Sequence, residues 1–243
     1  PFGNEVFVIP LQSLNRLGGV HIILNRHTGP YTMNIAVTGA SGFIGRQLVN
    51  YLSERGHQVA AIYRTKPSEI PASDRISSFV CDIRDKDNLL PAFKNSDVVI
   101  HLAALFNRPD KGWQDYYDVN VQGAVNVLEV AGSVGVKRTI HCSTGGVVSG
   151  NPNPPYAEDA PYSVPETDKY EKTKCEGEKA VRALSEKNGY PLVVVRPTQP
   201  YGPGDLSKVK LYKLVKKGII FNPGKTQKHP VYIDDLCRAF ELA

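Results

Sequence analysis

Four short runs in this chain, "NIAVTG", "QVAAIY", "DVVIHLAA" and "LVVVRP", are apolar at consecutive positions rather than at alternate ones, and "SSFVCD" and "RTIHCST" read as two further short strands. A strand that is apolar on both sides must be covered on both sides, and intervening helices that carry the chain back make successive strands parallel. Helical spacing does fill the gaps. "FIGRQLVNYLSERG" places Phe43, Leu48 and Leu52 on one side and closes on Gly56, a residue suited to a helix C-terminus. "DKDNLLPAFKN" reads as a short helix, "DYYDVNVQGAVNVLEVAGSVGV" as a long one, and "DKYEKTKCEGEKAVRALSEKNG" as a charged one ending at Asn188-Gly189. The expectation is an α/β fold: a doubly wound parallel sheet with helices on both faces. At 243 residues the chain suits one such domain, or one domain plus part of a second. After Pro197 the pattern turns irregular, as a small lobe on the sheet's edge would.

The stretch "AVTGASGFIG", residues 36 to 45, puts three glycines at every third position directly after the first strand and directly before the first helix. In that setting each has a use. Gly39 can turn the chain tightly off the strand, Gly42 lets backbone approach a pyrophosphate, and Gly45 lets the helix pack on the sheet. The helix N-terminus then offers unpaired N–H groups and its positive dipole end to phosphates. A purely structural glycine turn is the alternative. The spacing is G-x-x-G-x-x-G, which departs from the G-x-G-x-x-G dinucleotide fingerprint.

Composition excludes several functions. Hydrophobic residues make up 41% and charged residues 22%, and no apolar run approaches the roughly 18 residues of a membrane span. No signal segment precedes the domain, so a cytoplasmic location is expected and no membrane partner. Cys81, Cys142, Cys175 and Cys237 are scattered without ligand spacing, which points to buried free thiols and no metal site. The net charge of +5 is uneven, with seven lysines and no acid from Leu206 to Val231. That region is either a solvated face or an electropositive wall for a phosphate-bearing substrate. No aromatic-interleaved basic motif accompanies it, so nucleic acid is not an expected partner. A homodimer stays open.

Met33, the only methionine, stands directly before the first strand, and residues 1–32 show no sustained period beyond "HIILN". The expected division is a leader over 1–32 that is extraneous to the fold, a dinucleotide-binding domain over 33–200, and a partial substrate lobe over 201–243. "YIDDLCRAFELA" stops inside a helical pattern with no stop signal, as a chain cut short would.

"TGASGFIG" resembles the nucleotide-binding turn of the extended short-chain dehydrogenase/reductase superfamily, the branch of NAD-dependent epimerases and dehydratases. "CDIRD" (81–85), "HLAA" (101–104), "VNVQGAVNVLEVA", "CST" (142–144), "YEKTK" (170–174), "VVVRPTQPYGPGD" (193–205) and "VYIDDL" (231–236) follow in that family's order. The resemblance covers residues 33 to 243. It implies a Tyr-x-x-x-Lys pair, and the chain has two, Tyr170/Lys174 and Tyr212/Lys216. Tyr170 opens the helix between the fifth and sixth strands, whereas Tyr212 lies in the lysine-rich region, so Tyr170 is taken as functional and Tyr212 as surface.

Four residues apart on a helix, Tyr170 and Lys174 share a face. A phenol near pKa 10 is a poor base at neutral pH, and a neighbouring ammonium would favour its phenolate. The same ammonium can hold ribose hydroxyls, and Gly177 on that face would let cofactor or sheet come close. The family's third member is a hydroxyl at the end of the fifth strand: Thr144 in one register, Ser143 in the other, or a hydroxyl that merely satisfies local backbone. The resemblance further implies cofactor contacts at Gly39, Gly42, Phe43, Ile44 and Gly45, at Asp82 and Ile83 beside adenine, at Leu102, Ala103 and Ala104 beside the ribose and pyrophosphate, and at Pro197 near the nicotinamide. Asn120 reads equally as a site residue and as an ordinary helix polar residue.

These matches imply an NAD- or NADP-dependent enzyme acting on a secondary alcohol or ketone of a small molecule, with a nucleotide sugar as the substrate class. An epimerase and a ketone reductase of the dihydroflavonol type are both open. A 4,6-dehydratase is not, because Gly145-Gly146 follows Thr144 where that subfamily has Asp-Glu. A catalytically silent nucleotide-binding or redox-sensing protein is the reading from another class. NAD sites place an acid about 20 residues past the glycines, but no acid stands from His57 to Ser68, and Arg64 and Lys66 are there instead. A guanidinium at that place would clamp a 2′-phosphate, which favours NADP unless Arg64 is merely solvated.

Overall fold

The computed structural model describes residues 5–7, 32–65, 73–152, 156–219 and 229–243. "HIILN" and Lys66 lie outside the described residues. The six expected strands form, as β2 Asn34–Thr38, β3 Gln58–Tyr63, β4 Ile76–Val80, β5 Val98–His101, β6 Arg138–Cys142 and β7 Leu192–Val195. A short β1, Glu5–Phe7, adds a parallel edge beside β7, with Glu5 opposite Val193 and Phe7 opposite Val195. The order across the sheet is β1-β7-β6-β5-β2-β3-β4. All pairs are parallel. From β2 the chain winds outward through β3 to β4, then returns to start the other half at β5. The reversal falls between β2 and β5, and open α/β sheets hold ligands outside the strand ends at that point.

The doubly apolar strands divide their residues between two cores. Ile35, Val37, Ile100, Ile140 and Val193 face α1 (Phe43–Glu54) and α7 (Ile233–Leu242), where Leu48, Leu52, Leu236 and Phe240 join them. Ala36, Ile62 and Val99 face the opposite way, onto Leu89 and Phe93 of α2 (Lys86–Phe93) and Val127 and Val130 of α4 (Gly123–Ser133). Val194 joins that second face through Leu128 of α4 and Val181 of α5, Lys169–Asn188. Gly56 follows α1 at φ +96°, and Gly189 closes α5 at φ +69° in the left-handed region that side chains avoid. All four cysteines are buried and unbridged.

The long helix expected before β6 is continuous but not uniform. It runs as α3 Trp113–Tyr117, a π-helical turn over Asp118–Gln122, then α4. Asn120 explains the wider turn. Its amide is drawn inward, where Oδ1 accepts from Leu105 N at 2.7 Å and Nδ2 donates to Leu105 O at 3.1 Å and to Thr173 Oγ1 at 3.0 Å. On α5, Gly177 receives the Asn120 carbonyl, and a Cβ there would overlap that oxygen. Gly177 therefore opens space for the neighbouring helix, not for a cofactor or the sheet as its position in sequence suggested.

Beyond β7, β8 Pro200–Tyr201 pairs in parallel with β9 Val231–Tyr232. Between them lies α6, Val209–Lys216, with Leu211, Tyr212 and Val215 about half exposed. Among the described residues no helix is long and apolar enough to cross a membrane, and no His, Cys, Asp and Glu cluster has metal-binding geometry.

Candidate functional site

A cleft of about 280 Å³ opens at the reversal point, where the glycine turn after β2 meets the residues after β5. Gly39, Ser41 and Gly42 form one wall, and Leu102, Ala103, Ala104 and Leu105 the other. Gly39 stands at φ +73°, and a Cβ on it would lie 2.7 Å from Ala103 N. Only glycine brings the two walls this close. Gly42 is the N-cap of α1 and has no side chain to bond the helix's first amides, so they open beside the cleft as anion donors. Gly45 is spent on packing, since a Cβ there would overlap the Gly39 carbonyl. Phe43 and Ile44 turn their side chains onto the core beneath. Any role they have toward a ligand belongs to their backbone.

The far end of the cleft is lined by Ile62, Arg64, Cys81, Asp82 and Ile83. Gly123 makes room for Ile83, whose side chain a Cβ would meet at 2.6 Å. Asp82 accepts from Arg84 at 3.0 and 2.7 Å. The Arg84 hydrogen bonds hold the Asp82 carboxyl below its ordinary range against the effect of burial, and the charge of Arg64 adds to them. Arg64 is exposed, and its strand end brings it into the cleft as the sequence suggested.

Thr144 follows β6 and caps a 3-10 turn over Gly145–Val148, accepting from Gly146 N at 3.1 Å. A hydroxyl used in this way still has its proton to donate. Ser143 is buried, and its hydroxyl has no hydrogen-bond partner among the described residues. Burial would raise Glu178, yet hydrogen bonds from Arg196 and Tyr162 outweigh it and hold the carboxyl low. The two hydroxyls are thus placed differently, with Ser143 sealed inside and Thr144 at the head of the turn. Pro197 is not among the cleft residues; its carbonyl accepts from Gly145 N at 3.0 Å and ties the end of β7 to the Thr144 turn.

Asp168 caps α5, accepting from Tyr170 N and Glu171 N. Tyr170 packs edge-on against Phe106, 4.8 Å between ring centroids, and Phe106 lines the cleft. Lys174 is buried one turn on, donating from Nζ to Cys142 O at 2.7 Å. So the phenol and ammonium do share a face, at the end of β6. The electrostatics differ from the simple expectation. Burial, then Cys142, Glu171 and Asp168, push the phenol well above its ordinary value. The Lys174 ammonium is spent on a carbonyl, and burial lowers its own pKa. Tyr212, the second candidate of this pattern, stands exposed on α6 away from these groups.

Sequence reasoning passed over Phe106, Arg108 and Glu171. Phe106 and Arg108 sit just after β5 on the loop at the reversal point, so their place after "HLAA" was the available signal. Arg108 pairs with Asp110 at 2.8 Å.

The sequence matches the profile of the NAD dependent epimerase/dehydratase family over residues 35–243. The 3 beta-hydroxysteroid dehydrogenase/Delta 5-->4-isomerase of Mycobacterium tuberculosis strain H37Rv is 31% identical, across 86% of this chain and 59% of its own length. A putative UDP-glucose 4-epimerase of Methanocaldococcus jannaschii is 30% identical, across 86% of this chain and 72% of its own. The structure of MoeE5 in complex with UDP-glucuronic acid and NAD superposes with a TM-score of 0.73 at 28% identity, covering 86% of this chain and 71% of that one. The chain spans about three fifths of the length of the bacterial hydroxysteroid dehydrogenases it matches. With its parallel sheet, its glycine turn at the reversal point and a profile match that runs through the last residue, the chain belongs to the NAD-dependent epimerase/dehydratase family.

Proposed function

We propose that this chain is the dinucleotide-binding part of an enzyme that interconverts a secondary alcohol and a ketone on a nucleotide sugar, with Tyr170 as the acid/base. The observation that carries this is the junction of two features: a cleft walled by glycine at Gly39 and Gly42, and the Tyr170 ring that borders it through Phe106. The cleft fits a nicotinamide dinucleotide, because Gly39 leaves no room for a side chain and the uncapped first amides of α1 suit a pyrophosphate. Asp82 and Ile83 would hold the adenine end, and Ala103 and Ala104 keep the middle open. When bound, the nicotinamide supplies the hydride acceptor or donor. The Tyr170 phenol moves the proton of the substrate hydroxyl, Thr144 donates to the same oxygen, and Lys174 holds both the β6 end and the ribose side. Burial keeps the phenol protonated, the form that donates to a ketone oxygen.

Arg64 in the cleft favours NADP, although MoeE5 is described with NAD. A second substrate reading has its own observation. Phe106 is 59% exposed against Tyr170, and Trp113 is exposed as well, which suits an apolar alcohol such as a 3β-hydroxysteroid. The test is a panel on the purified chain: thermal shift with NADPH and NADH, then nicotinamide absorbance with UDP-glucose and with a 3β-hydroxysteroid. Turnover of UDP-glucose supports the leading reading and turnover of the steroid alone the second. Stabilisation by cofactor with turnover of neither favours a nucleotide-binding role; no stabilisation overturns both readings.

A further inference from the structure

Glu171, next to Tyr170 at the head of α5, has no part in the mechanism above, and its surroundings are unusual for a carboxylate. Its Oε2 is sealed from solvent without a hydrogen-bond partner among the described residues. The carboxyl rests on the backbone of Gly146, where a Cβ would overlap it. Gly146 N is the donor to Thr144 Oγ1, and Gly145 N is fixed to Pro197 O. The carboxyl therefore presses on the turn that aims the Thr144 hydroxyl, while its own helix turn carries the phenol.

We propose that Glu171 is a proton-dependent positioning residue: neutral, its carboxyl seats the Gly145–Val148 turn against α5, and ionised, it loosens that turn and with it the alignment of Thr144 and Tyr170. A neutral acid tolerates a dry contact with backbone, whereas a charge without a partner does not. The groups that act on it are few. Asp168 and Tyr170 lie on its own helix, and Lys174 one turn on. The Gly145–Val148 turn has no ionisable side chain. The Cys142 thiol at the end of β6 acts on the neighbouring Tyr170 and is kept neutral by burial, which pushes it up to about 11. Burial and then Asp168 lift Glu171 to about 7, with Lys174 pulling the other way. Any effect on turnover rests on the catalytic reading of Thr144 and Tyr170, but the titration itself does not.

The sign follows from linkage. An acid whose folded pKa lies above its unfolded value adds stability that is complete below the unfolded value and is lost as pH rises through the folded one. Wild type and Glu171→Gln are compared from about pH 4.5 to about pH 8.5 by thermal denaturation and by hydrogen exchange of the amides of residues 145–148, corrected for intrinsic rates. The two proteins are expected to coincide at the acid end. Toward pH 8 the variant becomes the more stable, and the turn exchanges at least about threefold faster in wild type only. Identical pH profiles in the two proteins overturn the proposal. So does a stability difference with no difference in exchange at the turn, which would make Glu171 an ordinary buried acid. Neither readout uses substrate, so failure here leaves the proposed reaction standing, and a chain without turnover would still show the titration.

Discussion

Arg64 sets the sharpest question at the scale of single residues. It lines the cleft beside Asp82, whose carboxyl is engaged by Arg84. A guanidinium there strengthens binding of a 2′-phosphate and does little for a 2′-hydroxyl. Arg64→Ala is expected to weaken NADPH about tenfold or more and to leave NADH within about twofold, measured as dissociation constants by nicotinamide fluorescence. An unchanged ratio makes Arg64 ordinary surface. The residues legible in sequence were those whose role is a missing side chain or a fixed offset. Gly39 and Gly42 line the cleft, and Gly45 packs beneath it. Phe106, Arg108 and Glu171 were not legible, because their importance comes from loops and turns brought against them by tertiary packing. Nothing in "YEKTK" reveals that Gly146, twenty-five positions earlier, receives the carboxyl of Glu171.

Among the elements, the strands followed from apolar runs because both faces of the sheet are covered, as the division of Ile35 and Ala36 between opposite cores shows, whereas their order across the sheet comes from the structure. The edge strand β4 is weakly patterned, with Ser77, Ser78 and Val80 exposed. The π-helical turn at Asp118–Gln122 left no periodic trace, since a single widened turn shifts the helical phase too little to see. What holds it is the Asn120 amide on the inside and Gly177 on the outside. Gly177→Ala is therefore expected to cost about 1–3 kcal/mol, as overpacking does, even though alanine is the better helix former. Urea denaturation measures it. A stabilised variant would show that α5 does not need this approach to Asn120. Cofactor affinity is expected to fall with it, because Asn120 also fixes the Leu105 backbone on the cleft wall.

For the molecule as a whole, one contribution to stability toward acid comes from a row at the strand ends. Thr38, His101 and His141 are register neighbours across β2, β5 and β6. Thr38 Oγ1 and His101 Nδ1 share a hydrogen bond of 2.8 Å, and the two rings lie 5.3 Å apart. Burial, then the charge of Lys174, drives His101 down to about 3, and His141 is lowered by the same causes. A group whose folded pKa is depressed below its unfolded value near 6.5 contributes stability above that value and loses it as pH falls toward the folded one. The melting temperature of His141→Leu relative to wild type is expected to rise as pH is lowered from about 7 to about 5. Parallel curves would remove His141 from the account.

Above these contributions stands the proposal that Tyr170 is the proton-transfer group beside the cleft. Tyr170→Phe keeps the ring against Phe106 and removes only the hydroxyl, so it separates chemistry from binding. The measurement is kcat with the substrate the panel identifies, beside the NADPH dissociation constant, for wild type and variant. The expected result is a loss of about 100-fold or more in kcat with cofactor affinity held within about twofold. Equal turnover in the two proteins would contradict the account.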